Sequence, residues 1–269
     1  MKHSRIAAMA AALALLAGLP ASAQVAPRIE VAPHRAVYQM TLASAKSGSG
    51  VVSAKGALAF EWGDSCDGWT VEQRYKLTLT LAQPGAVEIV TNYATWESKD
   101  GLDYRFNVRK TRNGKPDNDV SGQARLDGPG KKGKAEFTLP EKLTMDLPAG
   151  TVFPTEHTLV LLKQALADKT VVSRKVFDGA TADGAAEVNA LIGRKLAAGQ
   201  AGVEPFMDRP GWYMRMAYFN LDKKASEPDY EIGMELQDNG IARAIKLDYA
   251  DFSIKGTLEK VELLPKPPC

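Results

Sequence analysis

The chain has 269 residues, 45% apolar and 25% charged. These are ordinary globular proportions and exclude a disordered, collagen-like or coiled-coil chain. Lys and Arg number 34 against 32 Asp and Glu, and since Lys2 and Arg5 fall in the first 23 residues, the remainder carries 32 of each. A balanced chain lacks the cation excess that drives non-specific binding to nucleic acid or anionic lipid, so no nucleic-acid partner is expected.

Met1–Arg5 is positively charged, Ile6–Leu19 is apolar or small, Pro20 breaks the run, and Ala21-Ser22-Ala23 places small residues before Gln24. This is the three-part pattern of a secretory signal peptide, so 1–23 is expected to be removed and 24–269 to work outside the cytoplasm. The apolar run, about 14 residues, is shorter than the roughly 20 that span a bilayer. No cysteine follows the cleavage site to take a lipid.

From Trp69 onward the dominant period is two. Trp69, Val71, Tyr75, Leu77 and Leu79 alternate with polar residues, as do Leu102, Tyr104, Phe106 and Val108, then Trp212, Met214, Met216 and Tyr218, then Tyr230, Ile232, Met234 and Leu236. Such alternation marks half-buried strands of an antiparallel sheet. Similar runs lie near 35–43, 50–62, 86–97, 118–127, 133–139, 171–178, 186–192, 241–250 and 252–264, separated by turn pairs such as Asn113-Gly114 and Asp178-Gly179. One segment differs. Leu159, Leu162, Ala165 and Leu166 follow helical spacing behind Pro154-Thr155, which predicts one helix near 155–168. The expectation is a mainly β chain, about a dozen strands and one mid-chain helix, in a single domain over 24–269. An incompletely closed barrel leaves a concave groove, and Trp62, Tyr75, Trp96 and Trp212 are its expected lining.

The two cysteines, Cys66 and Cys269, suggest one internal disulfide in an oxidising compartment, with separate thiols or bridges between chains as alternatives. Cys66 lies in the turn-like Gly63-Asp64-Ser65-Cys66-Asp67-Gly68, and Cys269 ends a Pro265-Lys266-Pro267-Pro268 tail that prolines keep extended.

Catalytic patterns are absent. Two histidines follow the leader, His34 and His157. The chain has no HExxH, Cys-pair zinc pattern, GxSxG, phosphate-binding loop or GxGxxG, so no metal and no cofactor is expected. Gly63-Asp64-Ser65 resembles part of a lipase nucleophile block, yet no histidine follows His157 to serve as its base. The reading adopted is a turn for Ser65, a structural hydrogen bond at the helix entry for His157, and a satisfied edge position for His34. Lys131-Lys132-Gly133-Lys134 reads as a solvated hairpin tip.

Four blocks together resemble a known family. They are His34-Arg35-Ala36-Val37-Tyr38, Asp64-Ser65-Cys66-Asp67-Gly68-Trp69, Phe153-Pro154-Thr155-Glu156-His157, and the final Cys269. Over essentially the whole mature chain they resemble the alphaproteobacterial periplasmic envelope-integrity proteins of the EipB family. The resemblance implies a curved β-spiral like an unclosed barrel, with Cys66 bonded to Cys269. It implies motif roles for Asp64, Ser65, Gly68, Trp69, Pro154 and His157. It also implies a non-enzymatic role in envelope integrity and stress tolerance, and association with periplasmic tetratricopeptide-repeat proteins. The spiral is similar in outline to Lol-type lipoprotein carriers, a likeness of fold only that does not fix a ligand. The expected occupant of the concave face is a protein partner or a lipid or lipoprotein segment. Two alternatives stand beside this reading. One is a periplasmic hydrolase using His157 or an acidic pair. The other is a self-assembling module, such as a weak homodimer, joined through exposed strand edges.

Overall fold

Alternation of apolar and polar side chains turns nearly all of the chain into one sheet. The computed structural model describes residues 29–83, 85–199, 204–221 and 226–269, so the expected leader lies outside the described residues. The strands are β1 (His34–Ala45), β2 (Val51–Asp64), β3 (Gly68–Leu81), β4 (Ala86–Ser98), β5 (Asp103–Arg112), β6 (Lys115–Leu126), β7 (Gly133–Leu139), β8 (Leu143–Leu147), β9 (Thr151–Val152), β10 (Val171–Val176), β11 (Ala186–Leu196), β12 (Gly211–Asn220), β13 (Tyr230–Gln237), β14 (Ala242–Asp248) and β15 (Phe252–Leu263). A helix, α1 (Pro154–Leu166), interrupts them. Fifteen strands exceed the expected dozen chiefly by β8 and β9, of five and two residues, which no expected run covers; β8 alternates briefly and β9 is too short to do so.

The order across the sheet is β8-β7-β6-β5-β4-β3-β2-β1-β15-β14-β13-β12-β11-β10-β9. The chain begins in the middle, steps outward by hairpins to β8, and crosses to the opposite rim at β9. It then steps inward until β15 pairs antiparallel with β1. Only β9–β10 is parallel. No ladder joins β8 to β9, so the rolled sheet has one seam. His34 is therefore not an edge residue. It opens a central strand, is fully buried, and its Nδ1 lies 2.8 Å from the Ala32 carbonyl oxygen.

Side chains pack where hydrogen bonds do not cross the seam. Phe153 and Phe177, from the β9–β10 side, pack with Tyr104, Phe106 and Phe137 of β5 and β7, with ring centroids 4.9 to 6.5 Å apart. The hydroxyls of Tyr93 and Tyr104 both donate to the Asp178 carbonyl oxygen, at 2.6 and 2.8 Å. The next residue must be glycine, because a Cβ on Gly179 (φ +66°) would stand 2.4 Å from the Phe106 ring.

The helix lies against the inner face of β10–β13. Leu161, Leu162 and Ala165 meet Val172, Val188, Ile192, Trp212, Met214 and Leu236. Its first turn has no cap from its own chain segment, since Phe153 occupies the N-cap position. Instead the Glu97 carboxylate of β4 accepts the Thr155 and Glu156 N–H groups, each at 2.7 Å. A carboxylate at a helix N-terminus satisfies donors that would otherwise be orphaned and complements the helix dipole. Burial nonetheless raises the Glu97 carboxyl to a pKa of about 7, against the two N–H bonds that favour its charge. His157, one turn inside, is buried, and its Nε2 has no hydrogen-bond partner. The hydrogen bond expected of it is replaced by packing, and burial lowers its pKa to about 4.

Cys66 and Cys269 are bonded, with Cα atoms 5.7 Å apart and a sequence separation of 203. The bridge does not hold the seam. It fastens the tail after β15 to the β2–β3 turn, across β1, midway round the sheet. The Leu264 N–H donates to the Pro33 carbonyl at 2.8 Å and Lys266 pairs with Glu30, so the tail lies beside the N-terminal segment on its way there.

Replacing Cys66 or Cys269 by Ser is expected to lower unfolding free energy by about 2–5 kcal/mol, below the chain-entropy ceiling of roughly 5. Denaturant titration with and without reductant measures it, and coincident midpoints would refute it. Glu97 holds its proton more tightly when folded, so its contribution is complete below pH 4.5 and lost as pH rises to about 7. His157 holds its proton less tightly when folded, so its contribution is complete above pH 6.5 and lost as pH falls to about 4. The two slopes cancel between pH 4.5 and 6.5. Relative to the parent, Glu97→Gln should gain stability with rising pH across that window and His157→Leu should lose it, by about 1.4 kcal/mol per pH unit. Thermal melts at four pH values read the divergence; parallel curves would contradict the assignment.

Candidate functional site

The inner face of the sheet is not uniformly covered. Three apolar clusters fill it: the aromatic group at the seam, the helix packed on β10–β13, and Ala36, Tyr38, Met40, Leu58, Leu77, Leu79 and Ile254 beneath β1–β3 and β15. Between them runs a strip of inward positions that are only half-buried: Tyr75 of β3, Ile89 and Tyr93 of β4, Tyr218 of β12, Tyr230 and Ile232 of β13, and Ile245 and Leu247 of β14. Strand alternation puts all of them on the concave side. Apolar positions that face inward and stay partly open are the expected trace of a groove and not of a finished core.

Tyrosines edge this strip. Tyr218 and Tyr230 stack with ring centroids 4.5 Å apart. Burial raises the pKa of Tyr75, Tyr218, Tyr230 and Tyr249, and the neighbouring phenols and Asp178 add to the rise at Tyr230. All four hydroxyls are therefore neutral donors at physiological pH. The Tyr75 hydroxyl is buried without a hydrogen-bond partner. Asp178, half-buried beside the strip, has its carboxyl raised by burial, opposed by the Ala180 N–H it accepts at 2.9 Å.

Of the four side chains expected to line the groove, Tyr75 is on the half-buried inner strip, packed against the apolar cluster beneath β1–β3. Trp62 and Trp212 point inward but are 4% exposed and belong to packed clusters: Trp62 lies edge-on to Trp69 at 5.9 Å, and Trp212 sits among the helix contacts. Trp96 is on the other face. Tyr93 and Glu97 point inward, so alternation sends Trp96 outward, where its Nε1 donates to Ser65 Oγ at 3.2 Å.

The Asp64–Trp69 block is a clasp for the disulfide turn. Asp64 Oδ1 accepts the Cys66 N–H at 3.0 Å and pairs with Lys99 at 2.8 Å. Burial works against its charge, but Lys99 and that N–H outweigh it and hold the carboxyl below its ordinary range. Ser65 donates to Asp67 at 3.2 Å. Gly68 leaves room for the Trp96 indole, whose Nε1 would stand 2.3 Å from an added Cβ. The Lys99 ammonium lies 3.0 Å from the centre of the Trp69 ring. Cys66 itself takes φ +66°, a conformation the clasp holds in place. Pro154 opens the helix at its first position.

Neither histidine hydrogen-bonds a hydroxyl or thiol among the described residues, and His34 Nδ1 is engaged by backbone. Among the described residues no group of three or more His, Cys, Asp or Glu converges to hold a metal, and no helix is long and apolar enough to cross a membrane. Glu97 is the residue that sequence reasoning passed over. Its signal was parity: it shares the inward face with Ile89 and Tyr93, where a carboxylate needs a buried partner.

Removing the unpartnered hydroxyl should not harm the fold. Tyr75→Phe is expected to match the parent or gain up to about 1 kcal/mol, since the desolvation cost of that group disappears. A loss above 1 kcal/mol in urea unfolding would mean that the hydroxyl has a partner.

The family model described as EipB-like matches residues 25–265. The cell envelope integrity protein EipB of Brucella abortus (strain 2308) is 32% identical over 274 aligned residues, which span 98% of this chain and 96% of that protein. The crystal structure of a beta-barrel-like protein of domain of unknown function DUF1849 from Brucella abortus superposes with a TM-score of 0.81 at 28% identity, over 88% of this chain and all of that one. The rolled sheet, the single helix and the match along almost its full length lead to one conclusion: the chain belongs to the EipB-like family.

Proposed function

We propose that this protein acts in the periplasm as a non-enzymatic holder, supporting envelope integrity by cradling an acyl chain or the lipidated end of a lipoprotein along the uncovered concave strip. The observation that carries this reading is the half-buried row Tyr75, Ile89, Tyr218, Ile232, Ile245 and Leu247, which offers apolar surface inside and phenol hydroxyls at its margin. An elongated ligand with an apolar body and one polar end satisfies both, with the unpartnered Tyr75 hydroxyl as a donor to the polar end. The envelope-integrity name of the Brucella relative supports the cellular setting. Among the described residues neither histidine bonds a hydroxyl or thiol, which supports holding over turnover.

Protein purified from its native envelope, extracted with solvent and analysed by mass spectrometry, should release a stoichiometric acyl lipid. A fluorescent single-chain fatty acid should bind the delipidated parent. Ile245→Lys, which puts a charge on the strip, should weaken that binding at least tenfold, and Tyr75→Phe should weaken it two- to tenfold. An empty extract together with no saturable binding would end this reading. In that case, capture of a tetratricopeptide-repeat protein from the same envelope would favour protein docking as the protein's work.

A further inference from the structure

The convex side carries a second concavity, unconnected with the acyl-binding reading. Outward-facing side chains of four neighbouring strands surround a groove of about 420 Å³: Trp96, Asp103, Arg105, Gln123, Arg125, Lys134 and Glu136. The registers set Trp96 opposite Arg105, Arg105 opposite Gln123, and Gln123 opposite Glu136, so these four form one rung across β4–β7. A volume of this size is in the usual range for a small-molecule site.

Arg105 is the distinctive member. Its guanidinium carbon lies 4.8 Å from the centre of the Trp96 ring. Trp96 is itself fixed, by its hydrogen bond to Ser65 and by Gly68 against its edge. Among the described residues Arg105 makes no ion pair, whereas Arg125 has Asp103 at 3.6 Å and Lys134 has Asp146 at 3.9 Å. A guanidinium placed over an indole with its donor edge unused is preorganised for a planar, two-oxygen acceptor. Its neighbours are acceptors: Asp103, Glu136, and Gln123, whose Nε2 donates to Glu136 at 3.0 Å. Gln123 and Glu136 stand opposite each other, one strand spacing or about 4.8 Å apart, and Asp103 is diagonal to Gln123, which suits successive hydroxyl donors on one ligand.

We propose that the outer groove of β4–β7 binds a carboxylate-bearing saccharide, with Arg105 receiving the carboxylate and Asp103, Gln123 and Glu136 receiving hydroxyls.

Calorimetric titration of the full disulfide-bonded chain tests this with four probes: trigalacturonic acid, neutral cellotriose, inorganic phosphate and a triglutamate peptide. Saturable binding of trigalacturonic acid is expected, at least tenfold tighter than any other probe. Arg105→Gln should weaken it at least tenfold. Arg105→Lys should weaken it nearly as much, because an ammonium keeps the charge but not the flat fork. Tyr75→Phe, on the opposite face, should leave it unchanged. All three variants alter side chains outside the packed clusters, and an unchanged melting midpoint confirms that they fold. No saturable binding, equal binding of cellotriose, or an unaffected Arg105→Gln would overturn the proposal. Phosphate binding as tightly would reduce the site to a general anion contact and overturn it too. Tighter triglutamate binding would reassign the groove to an acidic peptide.

Discussion

Two hydrogen bonds accepted by a buried carboxylate organise the interior of this protein. Glu97 stands on β4, and the helix it caps follows β9 at the far rim of the sheet. The contact therefore joins elements that no ladder connects, and it does so at the helix end whose N–H groups most need an acceptor. Once the N-terminus is pinned, the apolar side of the helix can only lie along β10–β13, and its bulk decides which part of the concavity is filled. The half-buried strip along β3–β4 and β12–β14 lies where the helix does not reach.

The seam follows the same logic. A sheet of fifteen strands with its natural twist rolls until its rims approach, and continuous bonding would demand strands of matching length there. The rims here are β8 and β9, of five and two residues. Aromatic rings and the Asp178 carbonyl, shared by two tyrosines, substitute for ladder bonds. Packing of this kind holds the rims without fixing their spacing to that of a hydrogen-bonded pair, so the roll keeps the width that its contents require.

Much of this was legible in the residues. Period-two runs located thirteen of the strands, and one helical run located α1 to within two residues, because long regular segments repeat their signal. The pairing of Cys66 with Cys269 was implied by the family resemblance and is present. Other features were not legible, for physical reasons. β9, at two residues, cannot repeat an alternation, and β8 offers only Leu143, Met145 and Leu147. Trp96 was expected in the groove because aromatic residues favour buried faces, but the side it takes is set by Tyr93 and Glu97, which face the seam and the helix. His157 lies in a block that resembles a functional motif, yet it works by filling space. Arg105 was invisible as a site residue because its meaning comes from strand register, which brings Trp96, Gln123 and Glu136 beside it from three other strands.

The placement of β1 carries a consequence for the order of events during synthesis. A ribosome releases β1 first and its second neighbour, β15, last, so one edge of the opening strand stays bare while more than two hundred residues emerge. Until then that edge is a template on which another nascent copy could pair. The strand β15 therefore acts as the closing piece, and the cysteine at the end of the tail beyond it locks in an arrangement that a chain truncated before β15 could never reach.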